Sequence, residues 1–123
     1  MEQGELNKAK AYREKLPALK PHDAWLVNNI AWTLATSANP ASRDGSNAIV
    51  FAEQAVAATK RKEPGYLDTL AAAYAESGQF TNAVSVQKDA IDLLTEKKAE
   101  KKVIDDYTTR LRLYETNAPY RKP

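Results

Sequence analysis

Apolar residues recur at intervals of three and four along most of the chain, which is the spacing of one face of an α-helix. Five segments carry this pattern, namely 27–35, 46–59, 67–75, 81–94 and 104–114. None of them alternates with the period of two that is typical of a strand. The pattern therefore predicts an all-α fold made of antiparallel helical hairpins.

Capping and breaking residues mark where these helices begin and end. Asp44 or Ser46 can cap the helix that follows the loop after the first segment. Pro64 suits the first turn of a helix, and Gly78 suits the position just after a helix end, where a left-handed residue is common. Thr81 can cap the helix after that. The chain is therefore expected to divide into short, separate helices.

The helical segments repeat along the chain. Ala48 and Ala83 lie 35 residues apart, and so do Ala55 and Ala90. The segments 27–35 and 67–75 also correspond, but with an offset of 40, so five extra residues lie in the loop between the first two segments. Small residues at repeated positions allow two helix backbones to approach closely. The alanines are therefore interpreted as packing residues.

The segment 64–97 resembles a tetratricopeptide repeat, a helix-turn-helix unit of about 34 residues. It departs from the family pattern at Leu67, where tryptophan is usual, and at Thr95, near the place of a closing proline. The resemblance implies a right-handed solenoid of stacked hairpins. The residues that carry it are Leu67, Leu70, Ala71, Tyr74, Gly78, Phe80, Ala83 and Ala90.

This resemblance predicts a single tetratricopeptide-like domain over 1–123. A chain that begins in the turn of a repeat is expected to be the carboxy-terminal piece of a longer array, similar to the last repeats of a multidomain bacterial protein. The predicted parts are the second helix of a truncated repeat (1–20), repeat one with the five-residue insertion (24–60), repeat two (64–97), a capping helix (99–116) and a tail (117–123).

Composition and charge argue against several classes of function. Eighteen basic and sixteen acidic residues give a net charge of +2, far from the concentrated positive charge that binds nucleic acid. There is no cysteine, and His22 is the only histidine, which excludes a cysteine nucleophile or a multi-histidine metal site within this chain. The longest apolar run, AIVFA, is far shorter than the roughly 20 residues of a membrane span. We expect no catalysis, no cofactor, no metal and no membrane partner.

The resemblance implies that a peptide or partner protein binds on the concave face, which the first helix of each repeat lines. Trp32 and Asn28 are four residues apart and therefore neighbours on one helix face. This pattern differs from the carboxylate clamp that grips chaperone tails. The positions carried over are Trp25, Asn28, Trp32 and Thr36 from repeat one, Asp68, Ala72 and Glu76 from repeat two, and Lys102, Asp105 and Thr109 from the last helix.

Other interpretations stay open at this point. Trp25 and Trp32 can instead pack against the helix of the truncated repeat, and Asn28 can be solvated surface. A homodimer through the apolar face near Leu6 and Leu16 is one alternative function. Another is a structural end-piece, or the accessory tail of a larger multidomain protein whose activity lies upstream.

Overall fold

A computed structural model describes residues 21–123 of the chain, with side chains from Asp23 onward. Over this range the protein is all-α, with five α-helices, one short 3₁₀ turn at Pro40–Ser42 and no strand. The predicted helix in 1–20 and the apolar face proposed for a dimer lie outside the described residues. The helices are α1 (Pro21–Thr36), α2 (Gly45–Ala58), α3 (Pro64–Glu76), α4 (Phe80–Glu96) and α5 (Lys101–Glu115).

The beginnings of α2 and α3 follow local signals, while α4 begins without the predicted cap. Asp44 is the N-cap of α2, and its side chain accepts a hydrogen bond of 3.1 Å from the backbone N of Asn47. Pro64 occupies the first turn of α3. Thr81 does not cap α4, because that helix already begins at Phe80. The prediction for Asp44 is confirmed and that for Thr81 is wrong.

Four of the five described helices, α2 to α5, end beside residues with positive φ. Gly78 has φ of 77°, and the N–H of Gln79 donates to the carbonyl oxygen of Tyr74 at 2.9 Å, which closes α3 in the Schellman geometry. Lys98 and Asn117 have φ of 56° and 60° after α4 and α5. Gly78 was therefore a usable sequence signal for the end of α3. Lys98 and Asn117 are weaker signals for the ends of α4 and α5, because glycine is the residue most common at this position.

The described helices form two layers. Consecutive helices contact each other, and α1 also contacts α3 across the chain. Arg110 of α5 pairs with Asp68 of α3, so that α1, α3 and α5 share one layer, while α2 and α4 form the other. We call the surface on which α1, α3 and α5 meet the inner face.

Alanines fill the contacts between the layers, as the repeat pattern predicted. Leu67 and Phe51 fill the spaces beside them and are also buried. Close packing of this kind leaves little room for larger side chains at the crossings. The alanines with no solvent exposure include Ala31, Ala48, Ala52, Ala55, Ala71, Ala73, Ala83 and Ala90.

Gly45 lies where the start of α2 approaches the end of α3. A Cβ atom at this position would collide with the Ser77 side chain, and would lie 3.1 Å from the Ser77 backbone N and 3.2 Å from the Glu76 carbonyl carbon. The start of α2, in the first hairpin, therefore lies against Glu76 and Ser77 at the end of α3, in the second hairpin.

Candidate binding face

The six residues after the last helix turn do not continue away from the molecule. Asn117 has φ of 60°, and the N–H of Ala118 donates to the carbonyl oxygen of Leu113 at 2.9 Å. This turn directs the following residues back over the inner face. We call residues 118–123 the C-terminal strap. They have no regular secondary structure.

Two polar contacts attach the strap to α1 and α3. The backbone N–H of Lys122 donates to the carbonyl oxygen of Thr36 at 2.9 Å, which satisfies one of the free carbonyls at the end of α1. Arg121 Nη1 lies 2.7 Å from Glu76 Oε1. Among the described residues, that oxygen has no hydrogen bond of acceptable geometry, so the contact with Arg121 is an ion pair rather than an aligned hydrogen bond.

Aromatic rings attach the strap to α1 and α5. The ring of Tyr120 lies against that of Trp32, with 5.7 Å between centroids and an interplanar angle of 36°. The Arg110 guanidinium lies 5.4 Å from the Tyr120 ring, 5.9 Å from the Trp32 ring and 4.9 Å from the Tyr107 ring. Distances of this size permit cation–π attraction. The strap residue Tyr120 therefore contacts both a ring and a cation.

A buried polar cluster lies beneath Arg110. Arg110 Nε and Nη2 donate to the two carboxylate oxygens of Asp68 at 2.9 and 3.0 Å, a bidentate pair. Gln87 Nε2 donates to Asp68 Oδ1 at 2.9 Å and to the carbonyl oxygen of Tyr107 at 3.0 Å. Asp68 is only 6% exposed. The cluster fixes α3, α4 and α5 to one another.

The environment of this cluster shifts several pKa values. Burial raises the pKa of Asp68, while the charge and hydrogen bonds of Arg110 and Gln87 oppose that shift. Burial lowers the pKa of Arg110, but the Asp68 carboxylate outweighs it and the net shift is upward. Burial raises the pKa of Tyr107 to about 12 and also raises that of Tyr114. The guanidinium therefore stays charged and both phenols stay neutral around pH 7.

The structure brings together some of the residues predicted to contact a partner. Trp32, Thr36 and Glu76 all lie under the strap. The side chain of Glu76 also pairs with Arg43 through Oε2 at 3.5 Å. Asn28, one turn before Trp32, is partly buried, and its Oδ1 has no hydrogen-bond donor within residues 23–123.

Other predicted residues lie elsewhere or are covered. Thr36, Asp68 and Ala72 are buried, so their side chains are not open to a partner in this structure. Trp25, near the start of α1, is 64% exposed, whereas Trp32 is partly buried. The residues carried over from the last helix are all on the exposed part of α5, namely Lys102, Asp105 and Thr109.

Sequence reasoning missed the residues that cover the inner face. It assigned residues 117–123 to a tail and gave no role to Arg110, although Arg110 joins the polar cluster to the strap. One signal was present in the strap sequence, where Tyr120 is followed directly by two basic residues between two prolines. An aromatic residue followed by cations in a short non-helical segment can contact a surface that presents carboxylates and aromatic rings.

Comparisons with known proteins identify no relative of the chain. It matches no protein-family model, and neither the curated proteins nor the solved structures give a match. Within residues 21–123, no helix has the length and apolar character needed to cross a membrane. In the same range, no group of three or more histidine, cysteine or acidic side chains is arranged to hold a metal ion.

Proposed function

We propose that the protein is an interaction module that binds a segment of a partner protein on its inner face and has no catalytic activity of its own. The observation that carries this proposal is the strap. A non-helical segment lies on the inner face and is attached there by a ring contact, an ion pair and a main-chain hydrogen bond. A surface that accommodates one such segment has the chemistry to accommodate another.

We further propose that the helices form a tetratricopeptide-type solenoid. The 35-residue spacing of alanines supports this, as does the two-layer arrangement, in which the first helices of the two hairpins, α1 and α3, are in contact. In such arrays the first helices line the surface that binds partners. We propose no reaction because the carboxylates of Asp68 and Glu76 on this face are already paired with arginines.

The experiment is affinity capture from a lysate of the source organism, followed by mass spectrometry. Wild type is compared with Trp32→Ala, which alters the inner face, and with Trp25→Ala, which removes an exposed tryptophan away from the strap. Circular dichroism checks that each variant is folded. A partner retained by wild type and Trp25→Ala but lost by Trp32→Ala supports the proposal. Equal retention by all three contradicts it.

A structural end-piece of a larger protein is the second candidate. The observation that favours it is again the strap, because a face closed by the chain itself can serve as the finished end of a repeat array. In that case no partner depends on Trp32, and Trp32→Ala changes stability without changing the set of captured proteins.

A further inference from the structure

We propose that the strap occupies the inner face as an internal ligand, and that the face selects a partner segment in which an aromatic residue is followed directly by arginine. The partner segment displaces the strap when it binds. This inference rests on the proposed function, and it adds the chemistry of the partner and the event that opens the site. Each of three successive strap residues supplies one element of the selection.

The first element is the position that Tyr120 occupies. A side chain there contacts the Trp32 ring at 5.7 Å between centroids and has the Arg110 guanidinium 5.4 Å from its own centroid. Arg110 is itself fixed by its bidentate pair with Asp68. A ring gains from both contacts, whereas an aliphatic side chain gains from neither in the same way. This position therefore selects an aromatic residue.

The second element is the carboxylate of Glu76. Its side chain is only 16% exposed, and Arg121 pairs with it at 2.7 Å while remaining 33% exposed itself. Glu76 Oε1 has no aligned donor in the part of the chain that the structure describes, so a partner guanidinium placed slightly differently can pair with better geometry than the strap does. This position therefore selects arginine.

The third element is the main-chain contact at the end of α1. The carbonyl oxygen of Thr36 accepts a hydrogen bond from the backbone N–H of Lys122. This contact does not depend on the side chain of the third residue, but it excludes proline from that position because proline has no N–H. The segment selected is therefore aromatic, arginine, then any residue except proline.

Displacement is feasible because the strap is only partly buried. Tyr120 packs against the hydrophobic core, but Tyr120, Arg121 and Lys122 all stay partly exposed. A tethered segment nevertheless competes at an effective concentration on the order of millimolar, so the strap lowers the apparent affinity for an external segment. Weakening the strap should therefore strengthen binding of the same sequence supplied as a separate peptide.

The test uses full-length protein and a fluorescein-labelled synthetic peptide with the sequence of residues 117–123, NAPYRKP. Fluorescence anisotropy measures its binding to wild type and to the double variant Tyr120→Ala Arg121→Ala, whose inner face on α1, α3 and α5 is unchanged. We expect the double variant to bind the peptide at least about tenfold more tightly than wild type. Adding Glu76→Gln to the double variant should abolish most of that gain.

A matched control peptide carries glutamate in place of arginine, and we expect it to bind neither protein. Thermal melting and circular dichroism confirm that the variants are folded. The matched protein control adds Trp25→Ala to the double variant. Because Trp25 makes none of the strap contacts described above, this variant should keep the gain in affinity.

Four outcomes overturn the proposal. Equal affinity of wild type and the double variant means that the strap does not compete. Failure of the peptide to bind the double variant, or binding that ignores Glu76→Gln, means that the face does not select this chemistry. Self-association of wild type that the double variant loses means that the strap's site belongs to a second copy. None of these results affects the capture experiment with Trp32→Ala, which tests the proposed function separately.

Discussion

Helix α3 presents two carboxylates to arginines, and the two pairs are covered in different ways. Asp68 pairs with Arg110 of α5, and their side chains are 9% and 14% exposed. Glu76, about two turns further along, pairs with Arg121 of the strap, whose side chain is 33% exposed. A whole helix covers the first pair, while six irregular residues cover the second.

This difference separates a permanent contact from an exchangeable one. Removing one partner from a buried ion pair leaves an uncompensated charge, which costs about 3–5 kcal/mol. Glu76 also pairs with Arg43, so losing Arg121 does not leave its carboxylate without a cation, and Arg121 itself is 33% exposed. We therefore expect the Asp68 pair to hold α5 more firmly than the Glu76 pair holds the strap.

The largest expected effect comes from breaking the buried pair with Arg110→Met. This change leaves the Asp68 carboxylate buried without its cation, so we expect a loss of about 3–5 kcal/mol at pH 7. Burial already raises the Asp68 pKa and Arg110 opposes that shift, so the variant raises it further. A carboxyl with a raised pKa destabilises the fold when ionised. The loss should therefore shrink as the pH falls through that pKa, as measured by urea unfolding between pH 4 and 8.

Two further variants sharpen this comparison. Adding Asp68→Asn to Arg110→Met removes the unpaired charge and should recover much of the lost stability at pH 7. Arg121→Met breaks the strap pair instead and should cost less, about 1 kcal/mol, because Glu76 keeps Arg43 as a partner and Arg121 is 33% exposed. Equal losses for Arg110→Met and Arg121→Met would contradict the distinction between the two pairs.

A smaller effect is expected at Gly45, which packs beside the end of α3 that carries Glu76. In Gly45→Ala the new Cβ meets Ser77 and lies 3.1 and 3.2 Å from the backbone of Ser77 and Glu76. Because backbone must move, we expect a loss of about 1–3 kcal/mol in thermal or urea unfolding.

Gly65 provides the matched control. It lies in α3 near the Asp68 end, and a Cβ there would meet only the Tyr107 hydroxyl at 3.7 Å. Since alanine favours helix over glycine by about 1 kcal/mol, Gly65→Ala should leave stability unchanged or slightly higher. A loss at Gly65 as large as that at Gly45 would show that the close approach is not the cause.

The helices and their small-residue contacts could be predicted because their signals are local and periodic. Asp44, Pro64 and Gly78 act through neighbours within a few residues. Ala48 and Ala83 recur with the repeat and are both buried. Thr81 was misassigned because several polar residues near a helix start can serve as caps, and the chain begins α4 one residue before it.

The covering of the inner face could not be predicted in the same way. Asp68 and Arg110 are 42 residues apart, and nothing near either residue specifies the other. The strap has no period, so its course over Trp32 and Glu76 depends on contacts made only after the helices have packed. The resemblance pointed to the first helices as the binding surface, but it held no information on residues 117–123.

A gain in stability rather than a loss is expected from Tyr114→Phe, on the α5 side of the comparison. Tyr114 is fully buried, and its hydroxyl has no hydrogen-bond partner among the described residues. Removing an unsatisfied buried hydroxyl should raise the free energy of unfolding by about 1 kcal/mol at pH 7. A loss of similar size would instead mean that water or another group satisfies the hydroxyl.

The same variant has a pH signature. Burial raises the Tyr114 pKa above the ordinary value of 10.0, so above about pH 10 the unfolded chain loses a proton that the folded chain retains. Wild-type stability should therefore fall from about pH 10 upward, and Tyr114→Phe should fall less steeply in urea unfolding between pH 9 and 11. Tyr107→Phe should relieve the slope as well, since the Tyr107 pKa is raised to about 12. An unchanged slope in both variants would contradict the burial that raises the pKa values of these two phenols.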